Sequence, residues 1–110
     1  MTVAFELDGQ KFVALNGGPQ YRFTEAVSFQ IPCADQAEVD RLWTALSDGG
    51  SEGRCGWLKD RWGVSWQVVP VRLQQLLGDP DPGRSRRAMQ AMLTMKKIVI
   101  ADLDRAAEGH

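Results

Sequence analysis

The chain has 110 residues, of which 44% are hydrophobic and 25% are charged, as in one small globular domain. Its net charge of −1 excludes the strongly basic surface that nucleic-acid binding needs, so we expect no nucleic-acid partner. No apolar run approaches membrane-spanning length and the N-terminus lacks a signal-peptide pattern, so we expect no membrane partner and a cytoplasmic location.

The histidine and cysteine content narrows the possible chemistry. The single histidine is the last residue, His110, so histidine-based nucleophilic catalysis and histidine-ligated metal sites are not expected within one chain. Cys33 and Cys55 lack the spacing of metal or redox motifs, and we interpret both as reduced, buried thiols. The acidic residues show no calcium-loop pattern, and we predict neither a metal nor a cofactor.

The N-terminal residues predict a β-hairpin. Two strand-like runs, Thr2–Leu7 and Gln10–Leu15, flank Asp8-Gly9, a strong signal for a two-residue turn. The register that this turn implies pairs Leu7 with Gln10, Glu6 with Lys11, Phe5 with Phe12 and Val3 with Ala14.

A strand and a capped helix come next. The third strand is predicted over Ala26–Ile31 and is expected to stop at Pro32. Asp35 followed by Glu38 resembles a capping box, and apolar residues at helical spacing extend from there to Gly49-Gly50.

A hairpin rich in tryptophan lies between Cys55 and Pro70. Its predicted turn is Asp60–Gly63, where Gly63 can adopt a positive φ. The hairpin holds three of the four tryptophans in the chain, Trp57, Trp62 and Trp66.

The C-terminal part is predicted to be helical. A short helix is expected from Pro70 to Gly78, a turn-rich break over 79–83, a helix containing Ala88 and Met92, and a last helix around Ala101–Ala107. We interpret the basic run at 84–87 as a solvated helix face.

Strand alternation places one set of polar side chains on a single face of the sheet. The opposite, apolar face, which includes Phe29 and Trp66, is expected to pack against the capped helix. The polar face is either simply solvated or a hydrogen-bonding cup with an aromatic wall for a small ligand. The candidate ligand-binding residues on this face are Ser28, Gln30, Trp57, Lys59, Ser65 and Gln67.

Several segments together resemble one family. The sequences at 12–19, 26–29, 56–70 and 89–98 are similar to those of PhnB-like proteins of the vicinal oxygen chelate superfamily, which includes glyoxalase and bleomycin-resistance proteins. The resemblance implies an α+β fold: a glyoxalase-like βαβββ module with a curved mixed sheet, preceded by a β-hairpin and followed by C-terminal helices. It divides the chain into the closing hairpin of an incomplete first module (1–19), a second module (20–70) and a helical extension (71–110).

The resemblance also implies a cup completed in a homodimer, with a divalent metal in the enzymes of the superfamily. The metal-binding positions fall on Ala14, Ser28 and Gln67, which are poor ligands, so we expect no metal. PhnB-like proteins are often called demethylubiquinone methyltransferases, but the sequence lacks a glycine-rich loop that would cradle a nucleotide cofactor.

Three functions stay open at this point. The first is binding of a small polar or aromatic molecule in the cup without a metal. The second is a divalent-metal-dependent enzyme of the lyase, isomerase or dioxygenase type, and the third is a structural or oligomerisation module without a ligand. The sequence does not decide whether the chain is an enzyme.

Overall fold

The computed structural model describes residues 1–109, and His110 lies outside the described residues. Strands β1 (Thr2–Leu7) and β2 (Gln10–Leu15) form a two-stranded antiparallel sheet of their own. All four predicted residue pairs of this hairpin are confirmed. Asp8 and Gly9 both have positive φ, 50° and 78°, which a type I′ turn requires and which Asp-Gly favours.

A four-stranded mixed sheet and one helix form the centre of the molecule. The sheet order is β3-β6-β5-β4, with β3 parallel to β6 and the other neighbours antiparallel. The βαβββ module with a mixed sheet is therefore confirmed, and its two middle strands are short. The elements are β3 (Ser28–Cys33), α1 (Gln36–Ser47), β4 (Ser51–Glu52), β5 (Trp57–Lys59) and β6 (Ser65–Pro70).

The predicted bounds of the third strand were wrong at both ends. The strand begins at Ser28, because the amide of Ala26 donates to the hydroxyl of Thr24 at 3.2 Å and the chain turns there. It continues through Pro32 to Cys33. Proline is tolerated because β3 is the edge strand of the sheet, where one side of the backbone needs no hydrogen-bonding partner.

Helix α1 begins as predicted and covers the apolar face of the sheet. The carboxylate of Asp35 accepts the backbone N–H of Glu38 at 2.9 Å and caps the helix. Alternation along the strands directs their apolar side chains toward α1, which completes one hydrophobic core. The buried members of this core are Cys33, Val39, Trp43, Leu58 and Val68.

Three C-terminal helices build a second hydrophobic core against the end of β6. The predicted helices are confirmed as α2 (Val71–Leu77), α3 (Pro82–Met92) and α4 (Ile100–Glu108). Helix α3 begins inside the predicted break, because Asp81 caps it and proline suits the first helical position. The core consists of Val69, Leu73, Leu76, Ala88, Ile98, Leu103 and Ala107.

Helix α3 ends at Met92, so the family-like segment 89–98 is helical only at its start. The reason lies in the contacts of the following loop. The carbonyl of Met95 accepts the amide of Cys55, and the carbonyl of Lys96 accepts the amide of Gly56, both at 2.8 Å. This loop is therefore tied to the turn that precedes β5.

The basic run at 84–87 is more than a solvated face. Arg84 pairs with Asp79 at 3.0 Å and with Glu108 at 3.2 Å, and Arg87 donates to the carbonyl of Ala107. These contacts join α3 to its neighbours. Within residues 1–109, the helices are too short and too polar for any of them to cross a membrane.

Candidate ligand-binding site on the polar face of the sheet

The structure brings the six predicted site residues together on three adjacent strands. Residues directly opposite each other in neighbouring strands project to the same face, so strand pairing alone defines the array. One row across β3, β6 and β5 consists of Ser28, Ser65 and Lys59, and the next row consists of Gln30, Gln67 and Trp57.

Ser65 is the most unusual member of this array. The residue is 1% exposed, and its hydroxyl oxygen has no hydrogen-bonding partner among the described residues. A buried hydroxyl without a partner costs about 1–3 kcal/mol, so such groups are rare unless something else binds them. Ser65 therefore combines deep burial with an unsatisfied hydrogen-bonding group beside the other polar residues of the array.

A cleft of about 240 Å³ lies beside Ser65. Trp57 and Lys59 line it from β5, and Ser51 lines it from β4. Residues that carry an aromatic ring, an ammonium group and hydroxyl groups therefore border one small space. Ser28, Gln30 and Gln67 lie on the same face but outside the lining of this cleft.

Lys59 has a partner that sequence reasoning missed. Its ammonium group forms an ion pair with the carboxylate of Glu25, which lies in the turn before β3 and also lines the cleft. The hydrogen bond from Lys59 lowers the pKa of Glu25, so this carboxylate stays ionised to a lower pH than that of a glutamate without a partner. Because these residues are 34 positions apart in sequence, no local pattern could have indicated the contact.

Gln67 and Ser28 are joined directly. The side-chain amide of Gln67 donates to the hydroxyl of Ser28 at 2.9 Å, across the parallel strands β6 and β3. The bond connects two neighbouring strands on the polar face and fixes both side chains.

Asp60 organises the hairpin that carries Trp57 and Lys59, and sequence reasoning assigned it only to a turn. Its carboxylate accepts the amides of Trp62 and Val64 at 2.9 and 3.0 Å, and the indole N–H of Trp66 at 2.9 Å. The tryptophans diverge from this turn: Trp66 packs toward α1, Trp57 lies on the polar face and Trp62 is exposed.

An apolar cavity of about 560 Å³ lies between the N-terminal hairpin and the module, and sequence reasoning missed it as well. The rings of Phe12 and Phe29 meet edge to face with their centroids 6.2 Å apart, and the centroids of the Phe29 and Trp66 rings are 5.3 Å apart. The cavity offers few polar groups that would orient a ligand.

The residues at the metal-binding positions of the superfamily do not fit a divalent ion. Ser28 and Gln67 present a neutral hydroxyl and a neutral amide that bond to each other, and Ala14 lies in the separate two-stranded sheet. Neutral oxygen donors of this kind bind divalent ions weakly. Over residues 1–109, no group of three or more histidine, cysteine, aspartate or glutamate side chains could hold a metal ion.

The βαβββ module, its parallel β3–β6 pair and its polar face define a protein of the vicinal oxygen chelate type. A family model described as 3-demethylubiquinone-9 3-methyltransferase matches residues 1–69, which is more than half of the chain. The chain therefore belongs to this PhnB-like family.

Two solved structures are similar to this chain. A putative 3-demethylubiquinone-9 3-methyltransferase, the PhnB protein of Bacillus cereus, shares 28% identity with a TM-score of 0.59 over 64% of each chain. Protein PA1353 of Pseudomonas aeruginosa shares the fold, at 23% identity and a TM-score of 0.53, over 64% of this chain and 62% of its own. The similarity thus spans less than two thirds of either relative, and no curated protein matches the chain.

Proposed function

We propose that this PhnB-like protein binds a small polar or aromatic molecule on the polar face of its four-stranded sheet, without the divalent metal of the superfamily enzymes. The cleft beside Ser65 is the centre of the proposed site. As part of the same proposal the protein works in the cytoplasm, in keeping with two free cysteines.

The buried, unpartnered hydroxyl of Ser65 carries this proposal. A ligand atom in the cleft would supply the missing hydrogen bond, while Trp57 offers a ring for stacking and Lys59 a positive charge. Ser28, Gln30 and Gln67 would extend the polar surface for a larger ligand.

We propose neither metal catalysis nor methyl transfer for this chain. Ser28 and Gln67, at the metal-binding positions, carry neutral groups that bond to each other. In dinucleotide-binding folds the cofactor is held by a glycine-rich strand-to-helix loop. The connection from β3 to α1 is Ala34-Asp35, and β6 runs directly into α2, so neither junction contains a glycine.

A ligand library screened by thermal shift tests the proposal. We expect hits that stabilise the wild type and lose their effect in Ser65→Ala, whereas Gln67→Leu should weaken only the larger hits. Equal increases in melting temperature in all three proteins, or no hits, would contradict a ligand site on this face. A parallel titration with zinc, manganese and nickel ions should leave the melting temperature unchanged, whereas stabilisation by one ion would favour the metal-dependent enzyme.

The exposed N-terminal hairpin supports a second role, self-association as a homodimer. Its strands present apolar side chains to solvent on both faces, and an isolated two-stranded hairpin is marginally stable. Sedimentation should show a dimer that Val13→Glu weakens, since Val13 is an exposed apolar residue of β2. A wild-type monomer at high concentration would remove this role.

A further inference from the structure

We propose that the cleft beside Ser65 accepts a small aromatic carboxylate, and that Glu25 is an intramolecular competitor for this ligand at Lys59. The inference rests on the proposed function, because it names the ligand class of the same site. It adds a residue outside the sheet that regulates access to that site.

Glu25 already places a carboxylate where an anionic ligand would bind. Its side chain pairs with Lys59, and both residues line the cleft together with Ser65. The Glu25 and Lys59 side chains are 58% and 45% exposed, so the ion pair is accessible from solvent. An ion pair this exposed contributes little energy and can be exchanged for another carboxylate.

The segment that carries Glu25 runs beside Ser65. Ser65 lines the cleft that Glu25 borders and also a second cleft, which is bordered by residues from Arg22 to Val27. The segment from 22 to 27 contains no helix or strand, and all of its residues are exposed. A segment with so little burial can move away at small cost.

The groups around the cleft favour a carboxylate attached to a flat ring. Lys59 offers positive charge, and the Ser65 hydroxyl can donate a hydrogen bond to a carboxylate oxygen. Trp57 supplies an aromatic wall. A neutral ligand of the same shape could use the wall and the hydroxyl but would leave Glu25 on Lys59.

Benzoate and benzamide are suitable probes because they have nearly the same shape and differ in charge. Both are titrated into isotopically labelled full-length protein, and the backbone amides of Lys59 and Ser65 report binding by NMR. Wild type, Glu25→Gln, Glu52→Gln and Lys59→Gln are compared. Glu52 is the matched control, because it lines the same cleft and its replacement removes the same charge without breaking the Lys59 pair.

We expect Glu25→Gln to tighten benzoate binding by roughly two- to fivefold, the range that an exposed ion pair provides. Benzamide binding should change little, and Glu52→Gln should have a smaller effect on benzoate. Lys59→Gln should remove the preference for benzoate over benzamide.

Three results would overturn the inference. Equal tightening by Glu25→Gln and Glu52→Gln would show a general charge effect, and wild-type benzamide binding as tight as benzoate would show that charge is not recognised. In both cases the probes still bind, so the proposed function survives. Binding of neither probe to any variant also overturns the carboxylate assignment, and the library screen then decides the proposed function separately.

Discussion

The side-chain amide of Gln67 donates a hydrogen bond of 2.9 Å to the hydroxyl of Ser28 and thereby joins strands β6 and β3. In the resemblance to the superfamily, both residues occupy metal-binding positions. In this chain the same two positions satisfy each other with neutral groups. The fold of the relatives is thus retained while the polar face offers hydrogen bonds instead of metal ligands.

Replacing Gln67 tests the structural value of this bond. Gln67→Leu should lower the free energy of unfolding by about 0.5–1.5 kcal/mol, because one hydrogen bond is lost and the Ser28 hydroxyl loses its partner. Urea unfolding measures the change. Gln30→Leu on the same face is the control, since the amide of Gln30 has no side-chain hydrogen bond in the described structure. An equal effect of both variants would contradict the assigned role of the bond.

Ser65→Ala should separate stability from binding. Removing a buried hydroxyl that has no partner should leave the free energy of unfolding unchanged or raise it by up to about 1 kcal/mol. Ligands found for the wild type should bind more weakly. Urea unfolding and calorimetric titration measure the two effects, and a variant that is clearly less stable would show that the hydroxyl is bonded in the folded protein.

Asp60→Ala should destabilise the turn of the tryptophan hairpin. The carboxylate accepts three hydrogen bonds, two from backbone amides and one from the Trp66 indole. We expect a loss of about 1–3 kcal/mol in urea unfolding, because these donors lie in a partly buried turn. Asp48→Ala breaks an exposed ion pair to Arg61 on the neighbouring surface and should cost less. Equal losses would assign the effect of Asp60 to charge alone.

Cys33 should make stability fall at alkaline pH. Burial raises the pKa of the Cys33 thiol above its ordinary value of 9.0. The unfolded chain therefore loses the thiol proton at a lower pH than the folded chain does. The contribution of Cys33 to the free energy of unfolding is complete below pH 9.0 and is lost as pH rises toward the folded-state pKa. Urea denaturation between pH 8 and 11 should show that the free energy of unfolding falls less steeply with pH for Cys33→Ala than for the wild type. An equal fall in stability for the wild type and Cys33→Ala over this range would contradict the assigned role of Cys33.

Local signals explain what could be predicted from the sequence. The register of β1 and β2 follows from Asp8-Gly9 because a two-residue turn fixes every pair beyond it. The polar array follows from strand alternation, and the start of α1 follows from the cap at Asp35.

The remaining features depend on contacts between distant segments. The Lys59–Glu25 pair, the burial of Ser65 and the apolar cavity all arise where the chain returns to the sheet from elsewhere. The third strand was misplaced because edge position, which a single sequence does not reveal, decides whether Pro32 can stay in the strand.

Crystallographic fragment screening of the full chain tests the central claim most directly. We expect fragment density beside Ser65, stacked on Trp57 and within hydrogen-bonding distance of the Ser65 hydroxyl. Fragments bound in the apolar cavity beneath the hairpin, with the cleft at Ser65 empty throughout, would contradict it.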